Sequence, residues 1–141
     1  MTPEELQRRF KQYALRVIKL VASFPKGMAR QVVGYQLIKA ATSAAANYRA
    51  ACIARSRADF VHKLGIVEEE AEESTFWIDF AADAALTKRQ VIESLLKEGC
   101  ELVAIVVQSR KTAKSGLAPA AQPRRQPPSI GNRQSAIGNQ Q

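Results

Sequence analysis

Apolar side chains at Leu6, Phe10, Tyr13, Val17, Val21 and Phe24 recur at spacings of three and four, with Arg8, Arg9, Lys11, Arg16 and Lys19 on the opposite arc. That period of about 3.6 residues predicts an amphipathic helix. Thr2, Pro3 and Glu5 form its expected start: a hydroxyl cap, a proline at the first helical position and a glutamate three residues after the cap. Phe24-Pro25-Lys26-Gly27 ends it, because proline disfavours helix in the residue before it and glycine permits a turn. A second helix is expected to begin between Ala29 and Val33 and to run to about Ala54. Its alanines at 40, 41, 44, 45, 46, 50, 51 and 54 favour helix and let neighbouring backbones approach closely.

Ser56 with Asp59 predicts the cap of a third helix. Phe60, Leu64, Val67, Ala71, Ser74, Ile78 and Ala81 then alternate spacings of four and three, the seam of a left-handed bundle. Thr87 with Gln90 predicts the cap of a fourth helix, continuing to about Thr112. Two apolar stripes run along it: Val91, Leu95, Leu102 and Ile105 on one, Ile92, Leu96, Val103 and Val106 on the other. A bundle buries one stripe, so the second implies another covered surface, and self-association with cyclic symmetry is the expected cover. No segment alternates with a period of two. The expectation is an all-α, antiparallel up-down-up-down four-helix bundle over residues 1–112. Residues 113–141, rich in Pro, Gly, Ser, Asn and Gln and poor in apolar side chains, are expected to form a disordered low-complexity tail.

Composition narrows the classes. The chain has 141 residues, 46% apolar but only 6% aromatic, so its core is aliphatic and alanine-rich. Cys52 and Cys100 do not make a disulfide framework; they read as small buried hydrophobes in a reducing, cytoplasmic setting. The uninterrupted apolar run in the fourth helix, Leu102 to Val107, is far short of the roughly 20 residues that a bilayer span needs. Basic residues near the N-terminus are not followed by the apolar stretch of a signal peptide. Neither a membrane nor a secreted protein is expected.

The net charge of +8 is unevenly spread. Residues 1–63 hold twelve Lys/Arg against three Asp/Glu, and residues 64–112 hold five against ten. Such asymmetry suits a polyanionic partner, or a basic half packed on the acidic half of a neighbour.

Specific chemistry is sparse. Glu68, Glu69, Glu70, Glu72 and Glu73 crowd the third helix, but a carboxylate-bridged di-iron bundle also needs a Glu-x-x-His pair on each of two helices. The single histidine, His62, precedes these acids, so a solvated acidic face or a partner for a neighbouring helix is expected. No nucleophile–base–orienter set and no glycine-rich phosphate loop occurs. No catalytic residue, metal ligand or cofactor is therefore expected. Trp77 and Phe76 are read as packing anchors. Ser43 and Asn47, four apart on the second helix, are read as a structural pair that bridges helices or fixes register. The candidate contacts for RNA or DNA are Arg8, Lys11, Lys19, Arg49, Arg55, Arg57 and Lys63. Phosphate binding needs clustered cations and no particular spacing.

Several ordered segments carry a resemblance: Gln36-Leu37, Ala40-Ala41-Thr42-Ser43, Asn47-Tyr48-Arg49-Ala50-Ala51, Arg55-Ser56-Arg57-Ala58-Asp59-Phe60, the run Lys63 to Ala71, and Phe76-Trp77. Over residues 5–108 the chain resembles the bacterial four-helix-bundle proteins also called 23S ribosomal RNA intervening-sequence proteins. The resemblance implies an antiparallel bundle assembling as a homopentamer. It further implies kinship with the accessory variability protein of diversity-generating retroelements, a basic pentameric barrel that binds nucleic acid and a reverse transcriptase. What it implies for function is a non-enzymatic accessory factor for nucleic acid or a reverse transcriptase; the alternative is a protein–protein interaction scaffold. Ser43, Asn47, Phe60, Leu64 and Trp77 read as architectural in that frame, and Arg49, Arg55, Arg57 and Lys63 as contacts.

Overall fold

The structure is a computed structural model that describes residues 1–116. Four helices follow one another: α1 (Pro3–Ala22), α2 (Met28–Cys52), α3 (Arg57–Asp83) and α4 (Arg89–Lys114). No strand occurs among the described residues. Packing is heaviest between α2 and α3, then α3 and α4, then α1 and α2, while α1 and α4 touch sparingly. The result is a four-helix bundle whose first and last helices share a thin seam.

The capping chemistry at two helix starts is as the sequence predicts. The Glu5 N–H donates to the Thr2 hydroxyl at 3.1 Å and the Thr2 N–H donates to the Glu5 carboxylate at 2.8 Å. The bond from the Thr2 backbone, chiefly, holds the Glu5 carboxyl below its ordinary value. On α3 the Asp59 N–H donates to the Ser56 hydroxyl at 3.0 Å. At α4 the expectation fails: Thr87 lies one residue too early, and Lys88 occupies the cap without any side-chain hydrogen bond. The first turn is instead held from outside, by Arg89 reaching back to Asp79 and Asp83 on α3. Helix α4 also runs on to Lys114, with Ala113 fully buried, so the folded unit passes the predicted boundary at 112. The rest of the predicted tail, from residue 117, lies outside the described residues.

Turns are built by backbone handedness. Gly27, with φ at 151°, precedes α2 in a conformation that L side chains rarely adopt. Between α3 and α4 the Leu86 N–H reaches the Ala81 carbonyl and the Ala85 N–H reaches the Ala82 carbonyl. That pair of bonds defines a Schellman ending, with Ala85 at φ 59° where glycine is usual.

All seven predicted seam residues of α3 are buried, as are the six named on α1. Phe10 stacks on Tyr48 with ring centroids 5.3 Å apart, tying α1 to α2. On α4 a single stripe is buried, and it draws from both predicted ones: Ile92, Leu95, Leu102 and Val106, with Gly99 between. Leu96, Val103 and Ile105 are half-buried, and Val91 is exposed.

Gly99 makes room for the one polar contact at the centre. A β-carbon there would fall 2.6 Å from the Tyr13 hydroxyl oxygen and 2.8 Å from Thr75 Cγ2. The Tyr13 and Ser74 hydroxyls, both buried, lie 2.8 Å apart. Ser74 spends its own proton on the Ala71 carbonyl at 2.6 Å, so Tyr13 is the donor of the pair. Burial pushes the Tyr13 phenol up to about 12, which keeps that proton in place at any ordinary pH.

Candidate nucleic-acid interface

Helix periodicity spreads most cations of α1 over two grooves, with Arg8 on the rim of both and Lys19 in neither. On the α4 side Arg8, Arg9, Gln12 and Arg16 line a groove of about 640 Å³ with Glu5 and Glu98. Charge there is largely spent inside the molecule. Arg9 donates to Glu98 at 2.8 Å and Glu101 at 2.9 Å, and Arg16 donates to the Ser94 hydroxyl at 2.9 Å. On the α2 side a groove of about 620 Å³ is lined by Arg8, Lys11 and Arg49 at its cationic end, with Glu4 as its only acid. Ala14, Leu15, Ile18, Ala45 and Ala46 form its apolar part. None of Arg8, Lys11 and Arg49 enters an ion pair among the described residues.

Three of the seven predicted contacts thus converge on one groove. The other four do not join them. Lys19 is exposed on α1 and lines neither groove. Arg55 and Arg57 are exposed at the turn between α2 and α3, and the Arg57 guanidinium approaches Gly116 beyond the end of α4. Lys63 is committed: its ammonium donates to Asp59 at 2.8 Å one helical turn away, a bond that lowers the Asp59 carboxyl. Reading Lys63 as a free contact missed that i, i+4 partner, which the spacing in the sequence does carry.

The acids of α3 split in the same manner. Glu68 pairs with Arg110 at 3.2 Å, and Asp79 and Asp83 pair with Arg89, so these serve α4 as the sequence allows. Glu69, Glu72 and Glu73 face outward. Partial burial, then repulsion from Glu73, raises the Glu70 carboxyl, with Lys39 opposing. Among the described residues no three His, Cys, Asp or Glu side chains gather as a metal site would require.

Several structural assignments need correction. Phe76 is 56% exposed rather than a packing anchor, and it forms an outer aromatic cluster with Trp77 and Phe80 at centroid distances of 4.9–5.9 Å. Trp77 alone of the expected pair packs partly on the core. Asn47 donates to the Ser43 carbonyl at 2.9 Å and hydroxyl at 3.1 Å, so this pair stays within α2 and bridges no helices. Cys52 is half-buried and Cys100 exposed, and both are free thiols. The fully buried polar contact between helices, Tyr13–Ser74, was signalled only by a serine standing in an otherwise apolar seam.

Four long helices with an aliphatic core and no strand among the described residues define a four-helix-bundle protein. Residues 5–108 match the family model of the 23S rRNA-intervening sequence protein, and the chain belongs to that family. A crystal structure of a protein of unknown function from the S23 ribosomal protein family of Bacteroides thetaiotaomicron is similar, with a TM-score of 0.73 and 28% identity. That similarity covers 79% of this chain and 100% of the other. No curated protein matches the sequence. Among the described residues no helix is long and apolar enough to cross a membrane.

Proposed function

We propose that this chain is a non-enzymatic, cytoplasmic, homo-oligomeric bundle that binds RNA or DNA as an accessory factor. The observation that carries this reading is that six of the seven candidate cations, Arg8, Lys11, Lys19, Arg49, Arg55 and Arg57, are exposed and enter no ion pair among the described residues. Residues 1–63 hold three acids against twelve Lys/Arg, so a polyanion meets excess positive charge on this half of the chain. Antiparallel neighbours are supported by contacts at opposite helix ends: Phe10 with Tyr48 and Val21 with Gly34 between α1 and α2, Glu68 with Arg110 and Asp83 with Arg89 between α3 and α4. Five is the subunit number that the family resemblance implies, and a reverse transcriptase is the protein partner it implies.

Fluorescence anisotropy with a labelled single-stranded RNA and a labelled DNA duplex, titrated from about 50 to 300 mM KCl, tests the reading. Affinity is expected to fall log-linearly with salt. Arg55→Ala/Arg57→Ala is expected to flatten the log–log slope by about two charges and to weaken binding about tenfold or more at low salt. Absence of binding to either probe at 50 mM salt refutes it. The outer Phe76–Trp77–Phe80 cluster favours a second reading, a protein-interaction scaffold, in which the same substitutions disturb oligomer mass or partner capture and neither nucleic-acid probe binds.

A further inference from the structure

Two faces of the bundle carry apolar side chains that no helix among the described residues covers. The first joins α1 and α2: Leu15 is 51% exposed and Ile18 43%, and Val32 and Tyr35 continue the face along α2 at 54% and 63%. Its cations are Arg8, Lys11 and Arg49. The second is the outermost face of α3, where Glu69, Glu73, Phe76 and Phe80 recur at spacings of four, three and four. Trp77 braces this ridge, edge-on to both phenylalanines, with its indole N–H 3.4 Å from a Glu73 oxygen.

The faces are opposite in sign and alike in layout, each an apolar strip with charge at one end. Groove against groove would oppose cations, and ridge against ridge would oppose carboxylates. A ridge in a groove pairs them and covers the aromatics with Leu15 and Ile18.

We propose that the α3 ridge of one copy seats in the α1–α2 groove of a second copy, with Glu69 and Glu73 facing Arg8, Lys11 and Arg49. This rests on the homo-oligomeric half of the proposed function and divides its cations. Arg8, Lys11 and Arg49 go to the subunit contact, and Lys19, Arg55 and Arg57 remain for phosphates. Because two different surfaces meet, the contact repeats from copy to copy and closes as a ring where the rotation permits.

Sedimentation velocity of the full chain at about 5–100 µM tests it, with far-UV circular dichroism to verify folding; all four substituted side chains lie on the surface. Lys11→Glu/Arg49→Glu and Glu69→Lys/Glu73→Lys are each expected to dissociate the assembly to monomer. All four changes in one chain are expected to restore the wild-type mass, because the swapped charges again pair. An assembled wild type whose two-residue variants keep full mass overturns the face assignment and leaves the oligomeric reading standing. A four-residue variant that stays dissociated while folded also overturns it. A wild type that remains monomeric throughout refutes the oligomeric reading itself. Nucleic-acid anisotropy on Arg55→Ala/Arg57→Ala is independent of all three outcomes.

Discussion

Replacing Gly99 by alanine sets two known effects against each other at one buried position. Alanine in a helix interior is favoured over glycine by about 1 kcal/mol. Against this, the new methyl group would stand 2.6 Å from the Tyr13 hydroxyl, 2.8 Å from Thr75 Cγ2 and 3.1 Å from Tyr13 Cε2. Ordinary contacts of this kind need about 3.5 Å or more, so Tyr13 or the α4 backbone must move by nearly an ångström. Overpacking costs about 1–3 kcal/mol, and separating two fully buried hydroxyls adds about 1–3 kcal/mol. The net is a loss of about 3 kcal/mol, which for a folded unit of this size lowers the melting temperature by about 9–18 °C. Thermal melts followed by circular dichroism measure it. Gly65→Ala is the control: there the nearest atoms, at 3.3 Å, belong to the movable end of Arg110, and stability should change by no more than about 1 kcal/mol. Tyr13→Phe should cost about 1 kcal/mol alone and should relieve part of the Gly99→Ala penalty in the double variant. A Gly99→Ala protein that melts at or above the wild-type temperature refutes the close-approach reasoning.

Ala85→Gly should raise the melting temperature by a few degrees in the same assay, since it removes a left-handed alanine costing about 1 kcal/mol or more. Two carboxylates should show opposite pH behaviour in melts between about pH 3 and 7. The Glu5 value is lowered in the fold, so its stabilisation is present above the unfolded value of about 4.3 and is lost as pH falls through the folded value. Glu5→Gln should therefore be less stable than wild type at neutral pH, with the gap closing in acid. The Glu70 value is raised, so the folded state binds the proton better and stability falls as pH rises through that range. Glu70→Gln should melt higher than wild type at pH 7, and a lower melting temperature there would contradict the cost of burying this carboxylate beside Glu73.

Helix periodicity made most of the fold legible. The seam of α3 and the face of α1 were readable residue by residue because apolar spacing alone decides which side of a lone helix turns inward. On α4 that rule was ambiguous: apolar residues on both arcs gave two equivalent stripes, and only the positions of α1 and α3 select Ile92, Leu95, Leu102 and Val106. The missed cap at Thr87 has a similar origin, since the Schellman ending of α3 dictates where α4 can begin. For the candidate interface, the sequence supplied the cations but not their grouping. Arg8 and Arg9 are adjacent in the chain, yet one lines the groove shared with α2 while the other is spent on Glu98 and Glu101. That distinction requires neighbouring helices, which no local pattern contains.

The thin α1–α4 seam has a kinetic consequence. Nearly all packing joins helices that follow one another in sequence, so short loops close before any large entropic cost arises. Topology of this sort places refolding in the microsecond-to-millisecond regime, where stopped-flow or temperature-jump methods can time it. The arginine lacing from Arg9 and Arg16 to α4, like the approach of Tyr13 to Gly99, must wait until α1 and α4 meet. Severing it with Arg9→Ala should hasten unfolding while leaving the folding rate nearly untouched, the mark of a fastening made after the rate-limiting crossing.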